Sequence, residues 1–402
     1  MNNEKKHLHV IGICGVATSA LAIAFHNNGW KVTGSDKGFF PPVSTELEKS
    51  GVEFYAGWHP EKIGKPEFII VGTASGSQNP ETQYAKDNNI PLYSFAESIG
   101  KFLVREHSVV CVGTWGKTSS TALLSYILEK AKFSPSYMFG GISLSHPASA
   151  KISDSVWSVT EGDEYKSGPT DPTPKFRYYK PTHLLMSAIS WDHADLYPTE
   201  ESYFTEFKNL VSTVGFIVAC KDNKGVRDTI GNKKVIWYGT SDADYIYSGV
   251  KQTREGLDFT INGTRIQSPM IGAFQAENIT GCYAMARELG VSEDVIIGAI
   301  REFRGMKRRL EKRLDGAITV FDDIAHSPEK ASSILENLRK LYSGKVIAIF
   351  EPNIGGRQVA SSAKYDKAFE NADIVIIPRL TKLKIGDEKP MEGDDLARVI
   401  RK

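Results

Sequence analysis

The 402-residue sequence predicts an α/β protein built as three α/β units in series. Three observations predict it. Short apolar runs, turns and amphipathic helices recur in that order; two such runs empty into glycine turns; and the pattern restarts near residues 106 and 305. The units are expected at 1–106, 107–305 and 306–402.

In the first unit His7–Ile13 reads as a strand, Ala17–Asn28 as a helix, and Lys31–Gly34 and Phe68–Gly72 as further strands. Glu97–Glu106 bridges to Ser108–Val112, a strand followed by a glycine turn. The next helix carries Leu123, Leu124, Ile127, Leu128 and Ala131 on one face. Val156–Thr160 and Leu184–Ile189 are two more strands. Gly256–Ile261 and Thr264–Ile266 read as a hairpin about Asn262-Gly263, because both central residues of that turn must accept positive φ. A helix with Ala284, Ala286 and Leu289 follows. In the third unit Ile318–Phe321, Val346–Phe350 and Ile374–Ile377 read as strands and Pro328–Leu341 as a helix.

Lys+Arg 49 against Asp+Glu 48 leaves a formal charge of +1, so no global basic field exists to gather nucleic acid or an anionic membrane. Neither is expected as a partner. Cys14, Cys111, Cys220 and Cys282 lie far apart without a CxxC pair, which argues against a zinc cluster or disulfide framework and for reduced thiols. No apolar run approaches the ~18–20 residues of a membrane helix, and the first residues lack a leader pattern. A cytoplasmic protein is expected, as a monomer or weak homodimer.

The first glycine turn is Gly12-Ile13-Cys14-Gly15, with Asp36 closing the second strand. A dinucleotide turn wants G-x-G-x-x-G, so that backbone can approach a pyrophosphate at a helix start; here Cys14 and Ala17 hold the second and third glycine positions. Two readings stand. A nucleotide or nucleotide-sugar phosphate sits on the helix start with Asp36 near ribose or base, or the turn is simply tight and Asp36 caps a loop. The second turn, Gly113-Thr114-Trp115-Gly116-Lys117-Thr118-Ser119, is sharper. Its glycines let N–H groups face phosphate oxygens, the Lys117 ammonium meets the β/γ-phosphates, and the Thr118 hydroxyl reaches Mg²⁺.

Val156–Thr160 delivers Glu161-Gly162-Asp163-Glu164-Tyr165. A carboxylate at a strand end beside a phosphate loop is where a hard cation finds an oxygen ligand, which favours Glu161 over a mere acidic surface turn. Leu184–Ile189 likewise leads to Trp191-Asp192-His193-Ala194-Asp195, where His193 is either a metal or phosphate neighbour or an ordinary hydrogen-bonder.

Together these residues resemble the Mur ligase family. The resemblance runs through HVIGICG (9–15), VTGSD (32–36), FPPVSTELEKSG (40–51), VGTWGKTSS, EGDEY (161–165), WDHADLYP (191–198), GAFQAEN (272–278), KRRLEKR (307–313), FDDIAHSP (321–328) and FEPN (350–353). It implies a Rossmann-like UDP-sugar-binding domain, a central P-loop ATPase-like domain and a Rossmann-like amine-substrate domain. The last of these is expected to be shortened, without its final strand and helix. Within the family the GICG turn and the FPP segment at 40–42 resemble the murein-peptide branch. That branch joins UDP-N-acetylmuramate to L-alanyl-γ-D-glutamyl-meso-diaminopimelate through an acyl phosphate made from ATP. The same chemistry with L-alanine as the amine is the nearest alternative. An ATP- and UDP-sugar-binding regulatory protein of weakened catalysis is a second, motivated by Ala188 and Ser190.

Carried over residue by residue, the resemblance implies that Gly113, Thr114, Gly116, Lys117, Thr118 and Ser119 hold the ATP phosphates. Thr118 and Glu161 would bind one Mg²⁺ and His193 a second, with Lys117, Glu161 and His193 the catalytic set. Asn278 and Arg309 would line the nucleotide, and Asp323 and His326 its ribose and base. Gly12, Cys14, Gly15, Ser35 and Asp36 would hold the uridine nucleotide. Lys208 lies fifteen residues beyond His193, a spacing at which several family members carry a carbamylated lysine that bridges the metals; the alternative is a solvated helix lysine.

Overall fold

The computed structural model describes residues 5–72, 78–168, 171–193, 196–353, 357–380 and 390–400. The first sheet is parallel and has the order β3-β2-β1-β4-β5. In chain order its elements are β1 (His7–Ile11), α1 (Val16–Asn27), β2 (Lys31–Asp36), α2 (Val43–Ser50), β3 (Glu53–Ala56), β4 (Phe68–Val71), α3 (Pro80–Asp87) and β5 (Leu92–Ser94). The strand order reverses beside β1, so the turn after β1 opens at a topological switch point, the usual place for a ligand in such sheets. Leu8, Val10 and Ile11 are fully buried, as expected of a parallel strand covered on both faces. The bridge Glu97–Glu106 proves more structured than its sequence suggests. Ser94 and Glu97 form a capping box that starts α4 (Phe95–Ser98), and a π-turn over Ile99–Leu103 follows.

The second sheet has ten strands in the order β15-β14-β13-β12-β11-β10-β6-β9-β7-β8. It runs through β6 (His107–Val112), α5 (Lys117–Lys130), β7 (Ser136–Met138), β8 (Ala150–Lys151), β9 (Trp157–Gly162), α6 (Lys175–Tyr178) and β10 (His183–Met186). Next come α7 (Glu200–Thr213), β11 (Phe216–Cys220), α8 (Lys224–Ile230), β12 (Ile236–Gly239), β13 (Tyr245–Thr253), β14 (Gly256–Ile261) and β15 (Thr264–Ser268). The helices α9 (Gln275–Glu288) and α10 (Glu293–Glu302) complete it. β6 pairs in parallel with β9 on one side and β10 on the other, so three carboxyl ends open side by side. Asn262 and Gly263 take φ of 47° and 86°, the turn expected of the β14–β15 hairpin. Ala131 caps α5 rather than lying within it.

By packing, the chain divides into two compact units. One comprises Met1–Gly249, Phe259–Ser268 and Ala276–Met306; the other comprises Val250–Asp258, Pro269–Gln275 and Lys307–Lys402. The two sheets share the first unit because one cluster of buried side chains runs from Leu8 and Phe25 to Leu184 and Phe207.

In the second unit β16 (Glu311–Leu314) pairs antiparallel with β17 (Val320–Asp322). The strand expected at Ile318–Phe321 therefore starts at Val320 and belongs to this hairpin, with Ile318 exposed. α11 (Pro328–Leu341), β18 (Ile347–Ile349), β19 (Ile374–Ile376) and α12 (Gly393–Ile400) follow, with β18 and β19 parallel. Ala348 and Val375 pack into a core of Leu335, Phe350, Phe369 and Leu396, while Ile347, Ile349, Ile374 and Ile376 are exposed. Among the described residues no helix is long and apolar enough to cross a membrane.

Candidate active site

The second glycine turn joins β6 to α5, and both of its glycines are obligatory. Gly113 takes φ of 139° and Gly116 φ of 84°. A Cβ on Gly113 would lie 2.4 Å from Ser187 Oγ, and one on Gly116 2.5 Å from Asn278 Oδ1. Only glycine accepts both the backbone and the crowding. The segment after β10 braces the loop: Thr114 N donates to Ala188 O at 2.6 Å, Thr114 Oγ1 to Ser190 O at 2.8 Å, and Ser187 Oγ to the Trp115 carbonyl. Trp115 itself is half-exposed, and Thr118 and Ser119 are buried in the first turn of α5.

β9 delivers carboxylates against this turn. Thr118 Oγ1 donates to Glu161 Oε1 at 2.8 Å, and Gly140 N donates to Glu161 Oε2 at 2.6 Å. Lys117 Nζ lies 2.8 Å from Glu164 Oε2 and 3.1 Å from Oε1. Tyr203 OH, from α7, donates to the same Oε1 at 3.2 Å, and His193 Nε2 is 3.7 Å from it. Asp163 is engaged separately, by Lys175 Nζ at 2.5 Å. Burial pulls the Lys117 ammonium toward neutrality, but the Glu164 and Asp163 carboxylates outweigh it and lift its pKa above the ordinary lysine value. Burial likewise raises Asp163, and Lys175 and Lys117 overcome it, holding that carboxyl below the usual range. The result is a largely enclosed cation locked onto a buried anion, beside a hydroxyl–carboxylate pair.

That pair suits magnesium. A hydroxyl and a carboxylate are hard oxygen donors, and Mg²⁺ takes few protein ligands, completing its shell with phosphate oxygens and water. Among the described residues no three His, Cys, Asp or Glu side chains form a cage. Ala194 and Asp195, beside His193, lie outside the described residues.

At the first turn the N–H groups of Gly12 and Ile13 donate to Ser35 O at 2.8 and 3.1 Å, and Cys14 N donates to Asp36 Oδ2 at 2.8 Å. Asp36 thus ties the turn to β2, as the capping reading expects. Gly15 stands at the N-cap of α1. Burial and the Asp36 charge push the Cys14 thiol up to about 12, so it is no nucleophile near neutrality. Ser35 Oγ donates to Glu81, a fully buried carboxylate that also accepts Tyr55 OH at 2.9 Å and His59 N at 2.7 Å.

In the second unit Asp323 accepts Leu310 N and Ala325 N, each at 2.7 Å, and burial raises its carboxyl with Arg309 opposing. His326 Nδ1 lies 2.8 Å from Ile324 O. These three residues therefore cluster around the β16–β17 hairpin and the loop after it. Of the two readings of Lys208, its surroundings match the solvated helix lysine. It is exposed on α7, and Tyr203, which lies five residues earlier on that helix and on another face of it, is the α7 side chain that meets Glu164.

Three family models match the chain in succession: the Mur ligase family catalytic domain over residues 7–107, the Mur ligase middle domain over 112–286 and the Mur ligase glutamate ligase domain over 308–402. The chain is 30% identical to the UDP-N-acetylmuramate–L-alanine ligase of Mesorhizobium japonicum, over 98% of this chain and 87% of that protein. The chain belongs to the Mur ligase family.

A second relative of this Mur ligase is the UDP-N-acetylmuramate–L-alanyl-gamma-D-glutamyl-meso-2,6-diaminoheptandioate ligase of Haemophilus influenzae, 29% identical over 86% of this chain and 80% of that one. Among solved structures, the UDP-N-acetylmuramate-alanine ligase of Thermotoga maritima superimposes with a TM-score of 0.78 at 23% identity, over 92% of this chain and 84% of that one. The fold is the three-domain α/β Mur ligase architecture, and the protein is an ATP-dependent ligase that forms amide bonds.

Sequence reasoning singled out Lys117, Thr118, Glu161 and His193 but not Glu164, Tyr203, Ser187 or Glu81. Glu164 stands within the acidic run after β9, where a second carboxylate three residues on was the available signal. Tyr203 and Ser187 carry none, because their role comes from which strands and helices are neighbours.

Proposed function

We propose that this Mur ligase couples the carboxylate of UDP-N-acetylmuramate to the amino terminus of L-alanyl-γ-D-glutamyl-meso-diaminopimelate. Residues 1–106 take the sugar nucleotide, 107–305 take ATP, and 306–402 take the amine. The observation that supports ATP as phosphoryl donor is the two-glycine turn that opens α5 at Lys117 and Thr118, with Glu161 on the neighbouring strand meeting Thr118. Backbone N–H groups of Gly113–Ser119 cradle the phosphates, and the Lys117 ammonium neutralises the terminal one. Thr118 and Glu161 would hold one Mg²⁺ and His193 another. Bound there, the metal would supply positive charge against the phosphate oxygens. Asn278, held against Gly116, lines the nucleotide. In the first unit Gly12, Cys14, Gly15, Ser35 and Asp36 form the uridine-nucleotide end.

The chemistry proceeds in two displacements. A carboxylate oxygen of the sugar acid attacks the γ-phosphorus, the bond to the β–γ bridging oxygen breaks, and ADP leaves. The amine nitrogen then attacks the acyl carbon, inorganic phosphate departs, and the nitrogen loses a proton. Neither step needs a covalent enzyme intermediate, so positioning and charge neutralisation carry the rate.

The tripeptide is supported by the likeness of residues 12–15 and 40–42 to the murein-peptide branch. L-Alanine is the second reading, favoured by the Mesorhizobium relative. Phosphate release, measured with UDP-N-acetylmuramate and a panel of amines, separates them. Release that requires both the sugar acid and the tripeptide is the expected result. Consumption of L-alanine without consumption of tripeptide would reverse the assignment.

A further inference from the structure

Glu164 has no part in the chemistry just described, yet it is the most heavily engaged carboxylate of the site. Its side chain is 1% exposed and that of Lys117 13%. Both of its oxygens meet Lys117 Nζ, and Oε1 also accepts Tyr203 OH. Its main chain is pinned as well, since Tyr197 OH donates to Glu164 O at 2.6 Å. Tyr203 OH also lies 3.0 Å from Thr114 Oγ1 of the glycine turn. The neighbouring Asp163 is hydrogen-bonded by Lys175 and acts on Lys117 through its charge, whereas Glu164 takes the direct contacts. The ammonium that a triphosphate requires is thus held by an internal anion.

Resting on the ATP reading above, we propose that Glu164 is a latch on Lys117: nucleotide binding exchanges the Glu164 carboxylate for the terminal phosphates as the partner of the lysine. The physical consequence follows from burial. Once Lys117 turns to the phosphates, the partners left to Glu164 among the described residues are the Tyr203 hydroxyl and the nearby His193 imidazole, and a carboxylate so enclosed is costly without positive charge. A divalent cation that arrives with the nucleotide restores that charge. The latch therefore opposes metal-free ATP more than it opposes Mg·ATP, and makes nucleotide binding selective for the metal complex. Glu164 is here a positioning residue, acting through Lys117.

The test is equilibrium binding of ATP to the full chain, followed by the fluorescence of half-exposed Trp115 in the loop, once in EDTA and once in Mg²⁺. Glu164→Gln is expected to bind metal-free ATP about tenfold tighter than the wild type, because the competing anion is gone, with the gain shrinking to about twofold in Mg²⁺. Asp163→Asn removes an equal charge one residue away without touching the Lys117 partner, and is expected to shift metal-free affinity by less than about threefold. Unchanged or weaker metal-free binding by Glu164→Gln overturns the latch. An equal tightening by Asp163→Asn also overturns it, because the effect is then only long-range repulsion. If Glu164→Gln does not fold, Glu164→Asp draws the carboxylate back by one methylene and must move affinity in the same direction. Wild-type protein that binds no Mg·ATP overturns the ATP reading and the latch together.

Discussion

At the scale of single residues, the site depends on atoms that cannot be added and charges that cannot move freely. Gly116→Ala places a methyl group 2.5 Å from Asn278 Oδ1 on a backbone of φ 84°. The substitution is expected to cost about 1–3 kcal/mol in urea unfolding and to weaken ATP binding in parallel. An alanine variant of wild-type stability would contradict the loop geometry. Glu277, next to Asn278 on α9, behaves differently. Burial drives its carboxyl up to about 7, with the Cys220 thiol opposing and Asp222 reinforcing. The unfolded group ionises near 4.5, so between those values the folded state binds more protons than the unfolded one. Stability therefore falls as pH rises from 4.5 to about 7 and levels off above it, by at most about 3 kcal/mol. Glu277→Gln should remove that fall, as melting curves from pH 4.5 to 8 will show; a parallel pH dependence in both proteins would refute it. Lys117 and Thr118 were legible from sequence because a P-loop is a local pattern. The Lys117–Glu164 pair was not, since it exists only once β6 and β9 lie side by side.

At the scale of elements, apolar runs mark strands well and their faces poorly. Ile347-Ala348-Ile349 and Ile374-Val375-Ile376 are apolar throughout, the pattern of parallel strands, so no alternation says which side is inward. The structure turns Ala348 and Val375 to the core and leaves Ile349 73% exposed. Ile349→Thr should therefore change stability by less than about 0.5 kcal/mol, whereas Phe350→Ala, in the core, should cost about 3 kcal/mol or more. Chemical denaturation of the two variants checks this, and similar losses in both would show that the isoleucine face is covered in solution. Hairpins were read more surely. Asn262-Gly263 announces its turn by chemistry, while the strand expected at Ile318–Phe321 begins two residues later, and its charged partner Glu311–Leu314 offers no apolar run to mark it.

At the scale of the whole molecule, the chain announces three α/β units in series but packs as two compact units, because the first two sheets share one continuous buried cluster. Shared burial of that kind joins residues such as Phe25 and Phe207, far apart in sequence, and has no local signature. What the pattern did reveal is the order of these features along the chain: a glycine turn after β1, a second after β6, and carboxylates at the end of β9. The central claim is that the γ-phosphoryl of an ATP held by Gly113–Ser119 passes to the carboxylate of the sugar acid. It is tested most directly by labelling both carboxylate oxygens of UDP-N-acetylmuramate with ¹⁸O and analysing the phosphate released during ligation to the tripeptide by mass spectrometry. Each phosphate should carry one ¹⁸O, taken from the carboxylate when the acyl phosphate is cleaved by the amine. Phosphate that carries none, formed alongside amide product, would contradict the account.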